Sequence, residues 1–295
     1  MAIRTSEEAK TRTVEATTRR QSHEESLKFL ADLRGYLARA NDEESRGTWR
    51  TQIVALENWL ASEQYLSGEY PQGIDELVLE LIEWRAMQHA FQHVETKEQP
   101  FLEHTFYQQW LIGSTYVVSS LLGKLVGKIP GENSLRRLWW EIGKFVARDK
   151  ACTKGELKII GELLDKTKGT FTDENSRAMK FRNTVIAHNE KSLALAWDEI
   201  DKDIRVLVRI WSILVSWSSF GIIAPFRSAE QAFAGLERVF DDGELTLLKK
   251  KRQEYIDLAN GWTRIHLHNG KRDHGGSAFT QIVVTSHVLS KRADA

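Results

Sequence analysis

Residues 193–214 read LALAWDEIDKDIRVLVRIWSIL, and this stretch decides the fold class. Leu193, Trp197, Ile200, Ile204, Leu207, Trp211 and Leu214 follow one another in alternating steps of four and three, the period of a helix with an apolar stripe. It is the strongest periodic signal in the chain and predicts a long, well-packed helix. Upstream, Leu135, Leu138, Trp139, Ile142, Phe145 and Val146 repeat at helical spacing over 134–148, with Ser134 placed as N-cap. Thr153 and Glu156 have the spacing of a capping box, and Leu157, Ile160, Leu163 and Leu164 follow on one face until Gly169 closes the segment.

The same pattern extends further out. Ile74–Val94 and Phe101–Lys128 read as two more long helices separated by Gln99 and Pro100, so that 72–220 supplies about five helices with short connections, the arithmetic of a bundle. The four prolines, at 71, 100, 130 and 225, punctuate helical patterns rather than interrupt them. Before residue 70, two amphipathic segments, 22–40 and 43–67, divide at Asn41 and suggest a helical hairpin. They follow a polar leader rich in Thr and Glu that is expected to fray. After Pro225, Ala229–Phe240 and Glu244–Leu258 look helical, then Gly, His and Asn accumulate, and the β-branched run in Ser277–Leu289 has no clear assignment. No internal repeat argues for a solenoid. The expectation is an all-α, up-and-down helical bundle over 59–220, with an N-terminal helical extension over 1–58 and a helical to irregular C-terminal extension over 221–295.

Composition bounds the function. Lys plus Arg equals Asp plus Glu at 41 each in 295 residues, so no global field draws the molecule to nucleic acid or membrane. The charge is nevertheless unevenly placed: residues 51–110 hold 2 basic and 10 acidic side chains, whereas 111–190 hold 14 and 9. The middle of the chain is therefore the candidate face for a polyanion, if these charges are more than the solvated faces of a bundle. One cysteine, Cys152, excludes an internal disulfide and a thiolate zinc site. The N-terminal residues contain acids and no apolar core of a signal, and the uncharged stretches 104–123 and 210–226 are interrupted by Ser, Gly and Gln. The expected address is the cytoplasm, with no membrane partner.

The best chemical lead is Phe181-Arg182-Asn183-Thr184-Val185-Ile186-Ala187-His188-Asn189. Cleaving an RNA backbone without a metal requires a base for the 2′-hydroxyl proton, an acid for the leaving 5′-oxygen and a cation for the phosphorane. Histidine serves either proton role near neutrality, and arginine forks donors onto phosphate oxygens. On a regular helix, however, Arg182 and His188 stand about 9 Å and some 240° apart. Either the helix ends near Ala187 with Asn189 as a left-handed cap, or partner groups come from a second chain. A symmetric dimer would also supply two histidines to one cleft, one as acid and one as base. The same residues have a plain structural reading: Arg182 paired with Asp173 or Glu174, and His188 on a helix C-terminus.

An Arg-x(4–6)-His pattern with Asn directly after the Arg, set before the last long helix of an all-α bundle, resembles the HEPN superfamily. The run FRNTVIAHNEK (181–191), the preceding SLRRLWWEI (134–142) and the following WDEIDKDIRVLVRIWSIL (197–214) look like its abortive-infection, AbiU-like branch. The resemblance covers about 59–220. It implies a homodimeric, metal-independent endoribonuclease of a toxin or phage-defence system. Such an enzyme cuts RNA, tRNA included, to 2′,3′-cyclic phosphate ends without a cofactor, under an antitoxin or regulatory protein. On that resemblance Arg182, Asn183 and His188 hold the catalytic positions. The rival is a catalytically silent bundle of the same type that binds RNA, a nucleotide or a protein.

Other groupings are weaker. His266, His268 and His274 have spacings compatible with metal ligation but lie among glycines, as an exposed loop would. Lys249–Arg252 reads as a solvated helix face that can also touch phosphates. The tryptophans, among them Trp139, Trp140, Trp197, Trp211 and Trp217, stand mostly at core spacing. Phosphate-loop, nucleophile-elbow and zinc-protease motifs are missing from the sequence.

Overall fold

A computed structural model describes residues 3–17, 23–68, 72–93, 105–129, 132–187, 193, 195–218 and 232–264. Among the described residues every regular element is helical: α1 (Ser6–Thr17), α2 (His23–Arg39), α3 (Glu43–Leu60), α4 (Glu63–Ser67), α5 (Ile74–Gln92), α6 (Thr105–Leu125), α7 (Leu135–Arg148), α8 (Lys154–Leu163), α9 (Arg177–Phe181), a π-helical turn (Arg182–Ile186), α10 (Trp197–Ser218) and α11 (Asp242–Arg264). The predicted caps are present. Ser134 Oγ accepts from Arg137 N, and Thr153 and Glu156 satisfy each other's backbone amides.

The stretch that decided the fold is the axle of the bundle. α10 packs against α1, α5, α6, α7, α9 and α11, and every residue from Asp203 to Val215 is buried. A helix covered on all sides must satisfy its polar groups internally. Trp211 Nε1 donates to Asp75 Oδ1 at 2.6 Å, and Trp217 Nε1 to Asp149 Oδ2 at 3.1 Å. Around α10 the apolar faces of α5, α6 and α7 complete one large core.

Several expectations need correction. The leader does not fray over its whole length: α1 is a helix inside the main core, with Ala9 and Thr13 fully buried. Its buried face is made of Ala and Thr, too small to give a hydrophobic stripe. Thr13 and Thr17 return their hydroxyls to the carbonyls of Ala9 and Thr13, which removes the cost of burying them. Segment 43–67 is two helices, because Ser62 stops the first and caps the second. α8 ends at Leu163, and Gly169 lies beyond it in a turn so tight that a Cβ there would stand 2.4 Å from Asp165 O. Within Ala229–Phe240, residues 232–240 form turns instead of a helix, and 229–231 lie outside the described residues.

The main core also crosses both expected boundaries. It takes α1 from before residue 59, and Tyr255, Ile256, Ala259 and Trp262 of α11 from after 220. The α2–α3 hairpin carries a separate small core of Leu30, Leu33, Ile53 and Leu56. Of the tryptophans expected in the core, Trp140 is 61% exposed. Arg252, expected on a solvated face, is buried and donates to Glu83. The histidines 266, 268 and 274 and the run 277–289 lie outside the described residues. No helix among the described residues is long and apolar enough to cross a membrane.

An ion pair between the buried Arg85 and the part-buried Asp201 helps join α5, α10 and α11. Arg85 forks onto Asp201, Nε to Oδ1 and Nη2 to Oδ2 at 2.9 Å each, and Tyr255 Oη donates to the same Oδ1 at 2.7 Å. The guanidinium lies 4.9 Å from the ring centres of both Trp197 and Tyr255. Fork, hydroxyl and stacking together tie three helices at one point.

Candidate functional site

The candidate motif is built on a short helix that is held at both ends. Ser176 caps α9 by accepting from Met179 N at 3.0 Å, and its hydroxyl donates to Asp203 Oδ2 of α10 at 2.5 Å. Both partners are buried. Burial pushes the Asp203 carboxyl up to about 7, with Ser176's hydrogen bond acting against the shift and the neighbouring Glu199 adding to it. At the other end Phe181 is buried and meets the Tyr116 ring edge-on, with centroids 5.7 Å apart.

At Arg182 the backbone widens. Ala187 N donates to Arg182 O at 3.0 Å, a bond that spans five residues where an α-helix spans four. The α-helical geometry of this segment stops at Phe181 and its π turn at Ile186. Single π turns of this kind are frequently found at functional sites.

Two residues hold the Arg182 side chain. Nη1 donates to Asn183 Oδ1 at 2.9 Å, and Asn183 Nδ2 donates onward to Asp173 Oδ1 at 2.6 Å. The stem lies across α6 at Gly123, where a Cβ would stand 2.3 Å from Arg182 Nε and 2.5 Å from Cδ. Arg182 and Asn183 are thus brought together directly. The expected pairing of Arg182 with Asp173 or Glu174 is replaced by an indirect one, in which the amide stands between the cation and Asp173. His188 and Asn189 lie outside the described residues.

Asp173 belongs to a braced loop between α8 and α9. The Asp165 carboxylate accepts from Thr167 N, Thr167 Oγ1 and Lys168 N at 2.7–2.8 Å, and these bonds pull its carboxyl down to about 2. Asn175 Nδ2 donates to Gly169 O at 2.9 Å, closing the loop on itself.

Sequence reasoning missed Gly123, Asp173's contact with Asn183, and the Ser176–Asp203 anchor. An isolated glycine inside a helical pattern is the one local signal that pointed to the first. The other two join residues that are 10 and 27 positions apart in the chain, and no periodic pattern marks them.

Among the other candidates, Cys152 is buried at the foot of α7. His89 is driven down to about 4, first by burial and then by the neighbouring His93 and Arg85, which keeps it neutral at physiological pH. No family model, no curated protein and no solved structure matches the chain.

Proposed function

We propose that this chain is an HEPN-type, metal-independent endoribonuclease that acts as a homodimer in a toxin or abortive-infection system of the cytoplasm. The observation that carries the reading is the hold on Arg182. Its partner is the neutral amide of Asn183, so the direction of the guanidinium is set without a carboxylate bound to it. An orienting group that does not neutralise is what a phosphate clamp requires.

In this reading the Arg182 fork binds the scissile phosphate and the charge that grows on its oxygens as the 2′-hydroxyl attacks. His188 takes the hydroxyl proton or returns one to the leaving 5′-oxygen, and the second proton task falls to the partner's copy of the same residue. The products are a 2′,3′-cyclic phosphate and a 5′-hydroxyl. Supporting a two-fold arrangement, Ile112 and Tyr116 stand one turn apart on α6 and are 53% and 38% exposed, and Tyr116 meets Phe181, the residue before the π turn. An antitoxin or regulatory protein is the expected controlling partner.

The test is incubation of purified protein with total RNA and tRNA in EDTA, comparing wild type with Arg182→Ala and His188→Ala and mapping the ends. Cutting by wild type to cyclic-phosphate ends, lost in both variants, is the expected result. Absence of cutting by wild type, or equal cutting by His188→Ala, would favour a silent bundle that binds RNA, a nucleotide or a protein.

A further inference from the structure

We propose that Lys124, Lys128, Lys166 and Lys168 form a phosphate track that leads a single RNA strand across the molecule to Arg182. The proposal rests on the reading of Arg182 as a clamp in an RNA-cutting site, and names its substrate class: a polynucleotide several phosphates long, not a mononucleotide.

The contacts that assemble the track close into a ring. Arg182 lies on Gly123, and Lys124 is the next residue of α6. Lys128, three residues past the end of α6, donates its Nζ to Lys166 O at 2.9 Å and so ties the segment after α6 to the α8–α9 loop. Lys168 follows in that loop, and its carbonyl accepts from Asn175 Nδ2 at 3.2 Å. Two residues before Asn175, Asp173 holds Asn183, which holds Arg182. The loop that carries two of the lysines is thus the one that orients the arginine.

All four lysines are exposed, and among the described residues none of them makes an ion pair. Lys124 donates to the neutral Gln72 Oε1 at 3.1 Å. The nearby carboxylates accept local hydrogen bonds, Asp165 from the N–H groups of its own turn, Asp173 from Asn183 and Glu132 from Ile129 N, and Asp165 also feels the charge of Lys168. On the adjacent α8, Lys158 faces Glu162 at 3.8 Å. With neutral oxygens as the acceptors of Lys124 and Lys128, and no carboxylate at ion-pair distance from the four among the described residues, phosphate can bind them without a salt bridge having to break. Because they are spread over α6, the segment that follows it and the α8–α9 loop, the complement proposed for them is a chain of charges.

The experiment is the salt dependence of binding of a labelled single-stranded RNA of about a dozen nucleotides to the full chain. A track variant, with Lys→Gln at 128, 166 and 168, is compared with a charge-matched variant carrying Lys→Gln at 28, 144 and 154, which are exposed on other elements. The track variant is expected to bind at least about tenfold more weakly near 0.1 M salt, with the log–log salt slope reduced by about 2, while the matched variant stays within about twofold of wild type. Equal losses in both variants, no loss in the track variant, or no binding by wild type would overturn the proposal. The two readings fail separately. Binding lost only in the track variant, with wild type unable to cut, upholds the track and removes the nuclease. Wild-type cutting that the track variant retains in full on long RNA and on a dinucleotide alike removes the track and leaves the nuclease.

Discussion

Arg85 and Arg182 are both held by an oxygen at 2.9 Å, yet they are built for opposite ends. Arg85 meets a carboxylate bidentately between two aromatic rings, and its side chain is only 4% exposed. Arg182 meets one amide oxygen, rests its stem on a glycine and is half-exposed at a π turn. A carboxylate partner cancels the charge it orients and makes a fastener. An amide partner orients without cancelling and leaves a tool. The difference teaches that the chemistry of the second group, and not the arginine, separates structure from function in this bundle.

The comparison breaks most visibly on removing each cation. Arg85→Ala removes a buried side chain packed against Trp197 and Tyr255 and leaves the part-buried Asp201 without its charge partner, and is expected to cost about 3–5 kcal/mol, whereas Arg182→Ala is expected to cost under about 1 kcal/mol. Urea denaturation of both variants measures this, and equal costs would erase the distinction.

A somewhat smaller effect is expected where the Arg182 segment is anchored. The folded-state carboxyl of Asp203, at about 7, stands above its ordinary 3.8, so the folded chain holds a proton that the unfolded chain releases. This contribution to stability is fully present below about pH 4 and is lost as pH rises through about 7. Asp203→Asn should flatten that slope and stabilise the protein near pH 8 by on the order of 2–4 kcal/mol. Thermal unfolding across the range checks it, and a destabilised Asn variant near pH 8 would contradict it.

The least change in stability is expected at Gly123. Ala there gains helix propensity of about 1 kcal/mol and loses a similar amount to crowding, so the net should be near zero. Its Cβ would occupy the place of the Arg182 stem, and cleavage should fall at least about tenfold. Retained cleavage would mean that the glycine does not set the position of the arginine.

What was legible in the sequence follows from range. Periodicity and caps are local, so α7, α8 and α10 were readable, Ser134 and Thr153 to the residue. α1 was hidden because close packing of Ala and Thr leaves no apolar stripe. The motif Arg182-Asn183 was visible as residue types in order, but the role of the amide was not. It depends on Asp173 in a loop and on Gly123 in another helix, neither of which shares a pattern with it. The Arg85–Asp201 pair spans 116 positions and is written nowhere in the local sequence. The π turn also escaped, since only a formed backbone bond separates it from an ordinary helix.

The most direct test of the central claim is the double exchange Asn183→Asp with Asp173→Asn, which gives Arg182 the carboxylate partner that Arg85 has while the new amide at 173 supplies the donor that Asn183 gave up. RNA cleavage in EDTA is measured beside thermal stability. The account predicts an unchanged fold with cleavage reduced at least about a hundredfold, because the clamp is then neutralised in place. Wild-type cleavage by that variant would contradict it, and Arg182 would then be a structural residue like Arg85.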